Sequence, residues 1–265
     1  MAQVSPPEPV VDVLLCPVCR EMLTRAGGTL ACPAGHAFDI ARQGYVNLLG
    51  RADGDTAAMV ADRSAFLAAG HYTPLASLVA RWAADAAPGL VVDAGAGTGY
   101  YLAAVLARGG FGLALDASPS ALRRAARAHE RIGAAVWDVW RPWPVRDGVA
   151  AVVLNVFAPR NGPEFHRVLR PDGTLLVVTP TRAHLAELGA AGLLSVDPHK
   201  AARLAETLVR FERVRSAEIS YPMALSAADV RRVIGMGPAA HHDPVGLDED
   251  REVTASFLVS AYRPG

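Results

Sequence analysis

The sequence predicts an α/β protein, a doubly wound sheet with helices on both faces, preceded by a small metal-binding module. Three observations lead to this. From residue 90 onward, apolar runs that read as strands alternate with amphipathic runs that read as helices, as in a parallel sheet covered on both sides. A glycine-rich turn, DAGAGTG at 93–99, follows the first apolar run and opens a helix. Ahead of both, the three cysteines of the chain, Cys16, Cys19 and Cys32, stand close to His36.

Composition sets the outer bounds. A chain of 265 residues, 51% hydrophobic and 20% charged, buries a sizeable core and is not a disordered segment. No run approaches the roughly 18 apolar residues that a membrane span needs. The opening MAQVSPPEPVVDVLL has neither a basic n-region nor a small-residue cleavage site, so a cytoplasmic protein with no membrane partner is expected. A formal net charge of zero means that any nucleic acid would be met by a local patch and not by the field of the whole chain.

The metal module comes first. Its spacing is C-x2-C-x12-C-x3-H, with Pro17 in one ligand turn and Pro33 and Gly35 in the other. Three thiolates and an imidazole suit zinc, and four protein ligands close a tetrahedral site, which makes it structural. Between the turns, EMLTRAGGTLA reads as two short strands around Ala26-Gly27-Gly28, a hairpin. A segment this short has little core of its own, so the ion is expected to hold it together. Losing the metal is expected to leave the α/β domain folded.

IARQGYVNLLGRADGD, at 40–55, is turn-rich and reads as a connector. The expected division is a zinc module with connector at 1–50 and an α/β domain at 51–265, whose residues 57–87 form a lead-in of two helices broken at Gly70 and Pro74. Strands are then expected at LVVDAG, GLALD, AAVWD, VAAVVLNVF and TLLVVTP, with helices at YYLAAVLARG, SPSALRRAARAH and GPEFHRVLR. Beyond these, helices are expected near 184–192, 199–210 and 226–234, and strands near 213–222 and 252–262.

The candidate cofactor site follows from the same pattern. Gly95, Gly97 and Gly99 let the backbone approach a ligand, and the helix behind them offers free N–H groups. Asp116 ends the second strand, where a carboxylate accepts ribose hydroxyls. The spacing is G-x-G-x-G, without the final G-x-x-G step of the dinucleotide fingerprint, and Asp93 at the first strand's end suits a cationic amino acid better than a pyrophosphate. S-adenosylmethionine is therefore expected in preference to NAD. Asp138, ending the third strand, would hold the adenine amine. Asn155, at the end of the fourth, lies where an amide would position a methyl acceptor.

Taken together, CPVC…CPAGHAFD, RQGYVNLL, GHYTPL, DAGAGTGYY, NVFAPRN and TPTRAHLAEL resemble the RlmA family of 23S rRNA guanine-N1 methyltransferases over nearly the whole chain. RQGYVNLL and NVFAPRN look especially like the actinomycete branch that includes the tylosin-resistance methyltransferase. The resemblance implies the class I S-adenosylmethionine-dependent methyltransferase fold and methylation of a guanine in a domain II hairpin loop of 23S rRNA. It also implies macrolide resistance and a homodimer with the zinc modules at the walls of an RNA cleft. By position it adds Tyr72, Tyr100 and His184 to the cofactor contacts, and it makes Cys16, Cys19, Cys32 and His36 the zinc ligands. Ala94-Gly95-Ala96 departs from the small residues that relatives place there, which the backbone role of the loop tolerates.

The expected reaction is in-line displacement on a sulfonium methyl, with the guanine N1 proton passing to a base or water. Asn155 and the backbone of Ala158-Pro159 are the expected positioners. RNA would be held by phosphate contacts, stacking and edge hydrogen bonds. The basic candidates are Arg20, Arg25, Arg42, Arg51 and Arg160, while Arg123, Arg124, Arg127 and Arg131 have the spacing of a solvated helix face. The tryptophans of WDVWRPWP could stack on a base, but packing around the third strand is the use expected of them. Three rivals differ in their requirements: a small-molecule methyltransferase would need no RNA and no zinc module, a non-catalytic RNA binder no cofactor, and an NAD enzyme a nicotinamide site.

Overall fold

The computed structural model describes residues 5–51, 54–86, 88–190, 207–237 and 249–265. The first element is the short helix α1 (Glu8–Val11), and the ligand turns follow it. The expected hairpin forms as β1 (Thr24–Ala26) and β2 (Thr29–Ala31), and β3 (Ala37–Asp39) adds to it, giving a three-stranded antiparallel sheet. Gly27, at φ 61°, supplies the left-handed turn between the first two strands.

The connector is more than a connector. Its Tyr45–Asn47 segment is a strand, β4, which pairs in parallel with β7 (Ile132–Val136) and becomes the edge of the main sheet. A three-residue strand carries too little alternation to be read locally, so pairing with a distant partner is what reveals it.

Two helices follow, α2 (Ala57–Ala68), capped by Thr56, and α3 (Thr73–Ala84). The sheet then grows through β5 (Leu90–Ala94), α4 (Tyr100–Leu106), β6 (Phe111–Asp116), α5 (Pro119–Ala128), β7, β8 (Ala150–Val156), α6 (Gly162–Val168) and β9 (Leu169–Pro180). β5, β7 and β8 are buried along their whole length, which is why they read as unbroken apolar runs. Helix starts carry their own signals: Ser118 accepts from the N–H of Ala121 ahead of Pro119, and Asn161 from that of Glu164.

After α7 (Ala186–Ala190) come β10 (Phe211–Leu225), α8 (Ala227–Gly235) and β11 (Arg251–Pro264). Both late strands were anticipated, but they run longer than expected. The helix expected at 199–210 falls mostly outside the described residues.

The eight-stranded order is β10-β11-β9-β8-β5-β6-β7-β4. β9, β8, β5, β6, β7 and β4 are parallel, whereas β11 is antiparallel to both β9 and β10. The strands expected to be parallel are so, and the two late strands, whose direction the sequence left open, add an antiparallel pair at one edge and make the sheet mixed. Chain direction across the sheet reverses between β5 and β8. A crevice opens at such a switch point, outside the carboxyl ends of the strands.

Each face of the sheet has its own core. One is filled by α2 to α5 and α8. The other joins Leu14, Cys16, Leu23, Leu30 and Cys32 of the module to Val92, Leu113 and Val153 of the central strands. Leu14, Leu23 and Leu30 are each within 1% of complete burial, worth about 1.5–3 kcal/mol apiece. The module therefore packs onto the sheet and shares its core.

Candidate functional site

The metal centre is built on two turns. The N–H of Arg20 donates to the carbonyl of Cys16 at 2.9 Å, and that of Gly35 to the carbonyl of Cys32 at 2.9 Å. Each turn relies on left-handed backbone, at Arg20 (φ 65°) and Gly35 (φ 87°). The four ligand atoms lie within 4.8 Å of one another. Cys19 Sγ is 3.5 Å from Cys32 Sγ, and His36 Nδ1 is 3.6 Å from Cys16 Sγ and 3.4 Å from Cys32 Sγ. A zinc tetrahedron with ordinary bond lengths has edges of about 3.6–3.8 Å, so the set fits the ion.

At the switch point lies a cleft of about 620 Å3, a size suited to a cofactor. The glycine loop after β5, the tip of β6, the loops after β7 and β8, and α2 line it. Gly95 (φ 77°) shows why the loop is glycine: a Cβ there would lie 2.4 Å from that of Ala158. Gly97 (φ 54°) donates its N–H to Asp116 Oδ2 at 2.9 Å, while Ser118 donates to Asp116 Oδ1 at 2.8 Å. Burial raises the pKa of Asp116 above the usual carboxylate range, against the pull of those two N–H groups. Gly99 has a different task, since it starts α4 and a Cβ there would meet the Ala125 backbone at 2.9 Å. It lets two helices approach.

Asp93 is 2% exposed, lines the cleft, and has one carboxylate oxygen, Oδ1, without a partner. Burial, and then the nearby Asp116, push its pKa up to about 8. A buried acceptor facing a cleft calls for a donor from the ligand, and the ammonium of an amino acid supplies one. Binding would then need ionised Asp93 and a protonated amine, whose own pKa is about 7.7–8.0. Cofactor affinity is therefore expected to rise as pH increases to about 8 and to fall beyond it. Calorimetry at a series of pH values checks this, and Asp93→Asn should flatten the acid limb.

Tyr72 and His184 meet, but in different positions. Tyr72 lines the cleft from the start of α3, packed edge-on against Phe66 and Phe257. His184 stands behind it, with Nε2 at 3.2 Å from the Tyr72 hydroxyl, and its Nδ1 accepts the N–H of Ser256 at 3.3 Å. Burial lowers the pKa of His184 to about 4, so the ring is neutral at pH 7. With Nδ1 accepting, the proton sits on Nε2 and is donated to the Tyr72 oxygen, leaving the Tyr72 proton to be donated into the cleft.

Tyr100 and Asp138 also line the cleft. Asp138 lies two residues past the end of β7 and accepts the N–H of Trp140 at 3.0 Å. Asn155 does not reach the cleft surface. It is fully buried, and its Nδ2 donates to the carbonyls of Pro159 at 2.8 Å and Ala94 at 3.4 Å. Its amide ties the rim of the cleft together, and its Oδ1 has no hydrogen-bond partner.

Several cleft residues had no sequence signal. Tyr101 places a buried, unpartnered hydroxyl there. Arg63 of α2 pairs with Asp55 and donates to the Met236 carbonyl at 2.8 Å across the opening. Phe157 is 39% exposed and held at φ 57° by donation of its N–H to Val178. Only helical or strand periodicity was available for these positions, and none of them departs from it.

The expected RNA-binding cations divide. Arg20 donates to the Trp143 carbonyl at 2.7 Å and Arg25 pairs with Glu8 at 3.4 Å, so each has a partner in the chain, although Arg20 stays exposed. Arg160 is 7% exposed, with its Nε unpartnered, and burial lowers its pKa to about 10. Arg42 and Arg51 are exposed, as are Arg123, Arg124 and Arg127 on α5.

Comparison with known proteins adds to this geometry. The family model described as RlmA, N-terminal, a zinc ribbon, matches residues 14–50. The 23S rRNA (guanine(748)-N(1))-methyltransferase of Streptomyces fradiae is 50% identical, over 96% of this chain and 98% of its own. A candidate 23S rRNA (guanine-N(1)-)-methyltransferase of Micromonospora griseorubida is 52% identical, over 95% of this chain and 97% of its own. Among solved structures, a chain from the complex of the Haloferax volcanii Trm112 methyltransferase activator with a candidate methyltransferase superposes with a TM-score of 0.52. It covers 81% of this chain and 99% of its own at 17% identity, a likeness of fold alone.

Proposed function

Because this chain belongs to the family of 23S rRNA (guanine-N1)-methyltransferases, with which it shares half its residues over nearly its full length, we propose that it transfers a methyl group from S-adenosylmethionine to N1 of a guanine in 23S rRNA. The fold is that of a class I S-adenosylmethionine-dependent methyltransferase carrying an N-terminal structural zinc site. The observation that carries the reading furthest is the pairing of that full-length likeness with a cleft whose buried acceptor, Asp93, has no partner of its own. A small-molecule methyltransferase would not account for half-identity with rRNA enzymes along the zinc ribbon as well as the cleft.

S-adenosylmethionine, when bound, supplies an electrophilic sulfonium methyl. The residues of the chain divide the remaining work. Asp93 accepts the ammonium, and the Tyr72 hydroxyl, oriented by His184, donates to the carboxylate of the same amino-acid group. Asp116 receives the ribose hydroxyls on the lone pairs that Gly97 and Ser118 leave open, and Asp138 holds the adenine amine. The backbone at Gly95, Gly97 and Gly99 and the ring of Tyr100 complete the cradle. Asn155 is a positioning residue, clamping Ala94 to Pro159 so that Phe157 and Ala158 form a fixed wall beside the acceptor. Phe157 holds a left-handed backbone that costs about 1–3 kcal/mol, a strain in keeping with a functional wall.

Finer features belong to the same proposal. The acceptor is the domain II hairpin loop beside the macrolide tunnel, and the biological outcome is macrolide resistance of the tylosin type. Residues 1–50 act as an RNA-recognition unit ahead of the methyltransferase domain at 51–265, although β4 of that unit is lent to the main sheet. The protein works as a cytoplasmic homodimer. Among the described residues, no helix is long and apolar enough to cross a membrane.

Methyl transfer to 23S rRNA that lacks the modification, read by reverse transcription, tests the central claim. An N1 methyl blocks Watson–Crick pairing, so one new stop in the hairpin loop is the expected result. Absence of any RNA labelling by protein that still binds cofactor and zinc would overturn it.

A further inference from the structure

The structure leaves one large aromatic ring in the open beside the cleft. Of the four tryptophans, Trp82, Trp137 and Trp143 are 4%, 6% and 0% exposed, whereas Trp140 is 62% exposed. Packing therefore accounts for two of the three tryptophans in WDVWRPWP and leaves the middle one unexplained. Its position is not that of a loose loop. The N–H of Trp140 donates to Asp138 Oδ1 at 3.0 Å, and that of Arg141 to the Asp138 carbonyl at 3.0 Å. The carbonyl of Val139 accepts from Trp143 Nε1 and from Asn161 Nδ2, each at 3.0 Å. A frame of hydrogen bonds on both sides of the ring holds it outward.

The same frame joins this loop to the next. Asn161 starts α6 and ends the loop that carries Phe157, so its bond to Val139 ties the Phe157 loop to the Trp140 loop. Both residues line the same cleft, and Phe157 is the other exposed aromatic there, at 39%. Arg42, Arg51, Arg123, Arg124 and Arg127 are exposed and can meet phosphates, but phosphate contacts do not orient a base; Arg20 and Arg25 have partners in the chain and Arg160 is buried. An unpaired RNA loop offers base faces, and stacking on an aromatic ring is the contact that any base can make.

We propose that Trp140 is the platform on which a nucleobase of the substrate loop stacks, orienting the target guanine against the Phe157 wall. This rests on the rRNA reading above. Trp140 acts on RNA affinity, and the cofactor is held without it.

The test uses the full-length protein and a transcript of the 23S rRNA hairpin that contains the guanosine equivalent to the Streptomyces fradiae target. Trp140→Ala should raise the dissociation constant for the hairpin about ten- to a hundredfold and leave cofactor affinity, measured by calorimetry, unchanged. Trp140→Phe should recover most of the RNA affinity. The hairpin should quench tryptophan emission in the wild type and much less in Trp140→Phe. If Trp140→Ala binds the hairpin like wild type, or if it loses cofactor affinity in place of RNA affinity, the platform is disproved, and the second result would put the ring on the adenine. A wild type that binds cofactor but methylates no hairpin overturns the rRNA reading and the platform with it. A wild type that methylates while Trp140→Ala matches it in RNA binding overturns the platform alone.

Discussion

Cys16→Ser is expected to lose stoichiometric zinc and to lower the melting temperature of the whole chain by about 6–20 °C. The magnitude follows from where the ligand sits. Cys16 is completely buried, and its neighbours Leu14, Leu23 and Leu30 share a core with Val92 and Val153 of the central strands. Releasing the ion loosens this packing as well as the turns. A loss of about 3–5 kcal/mol, as for other buried groups left without partners, corresponds to a shift of about 2–4 °C per kcal/mol in a chain of this size. Metal content with thermal unfolding of the same sample measures both. The sequence alone suggested that the α/β domain would outlast its metal, and the shared core argues the reverse. An unchanged melt in protein shown to be free of zinc would restore the independent module.

Asp116→Ala should weaken cofactor binding by about a hundredfold. The carboxylate is expected to accept the ribose hydroxyls, and it already holds the glycine loop through the N–H of Gly97 and α5 through the N–H of Ser118. Hydrogen bonds to a charged group are worth about 1.5–3 kcal/mol each, so removing it costs affinity directly and also frees the loop. Asp116→Asn keeps an acceptor for one of the two N–H groups and should fall between alanine and wild type. Titration calorimetry on all three proteins gives the order. Equal affinities would take Asp116 out of the site and leave it as a loop anchor.

How far the site could be read in advance varied with the kind of information it needed. Cys16, Cys19, Cys32 and His36 were legible because ligand spacing is a local property of the chain. The glycine loop and Asp116 were legible for the same reason, since a strand, a tight turn and a helix start are consecutive in sequence. Asp93 was placed correctly at the end of a strand, but its unpartnered oxygen depends on what the neighbouring strands fail to offer. Asn155 reads in the sequence as an acceptor-positioning amide, and only the fold shows that it is buried and donates to Ala94 and Pro159.

The sequence by itself determined the alternation of strands and helices, the zinc ligand set, the glycine turn that lines the cleft, and, through its motifs, the family. These are written in spacings of a few residues, where backbone geometry alone decides the outcome. Only the tertiary structure decided that Tyr45–Asn47 extends the sheet, that β11 runs antiparallel, that the zinc module shares the main core, and that Trp140 faces outward while Trp137 and Trp143 do not. Each of these depends on contacts between residues far apart in the chain. Burial and partnering are set when such elements pack together, and no local pattern in WDVWRPWP distinguishes the ring that stays outside.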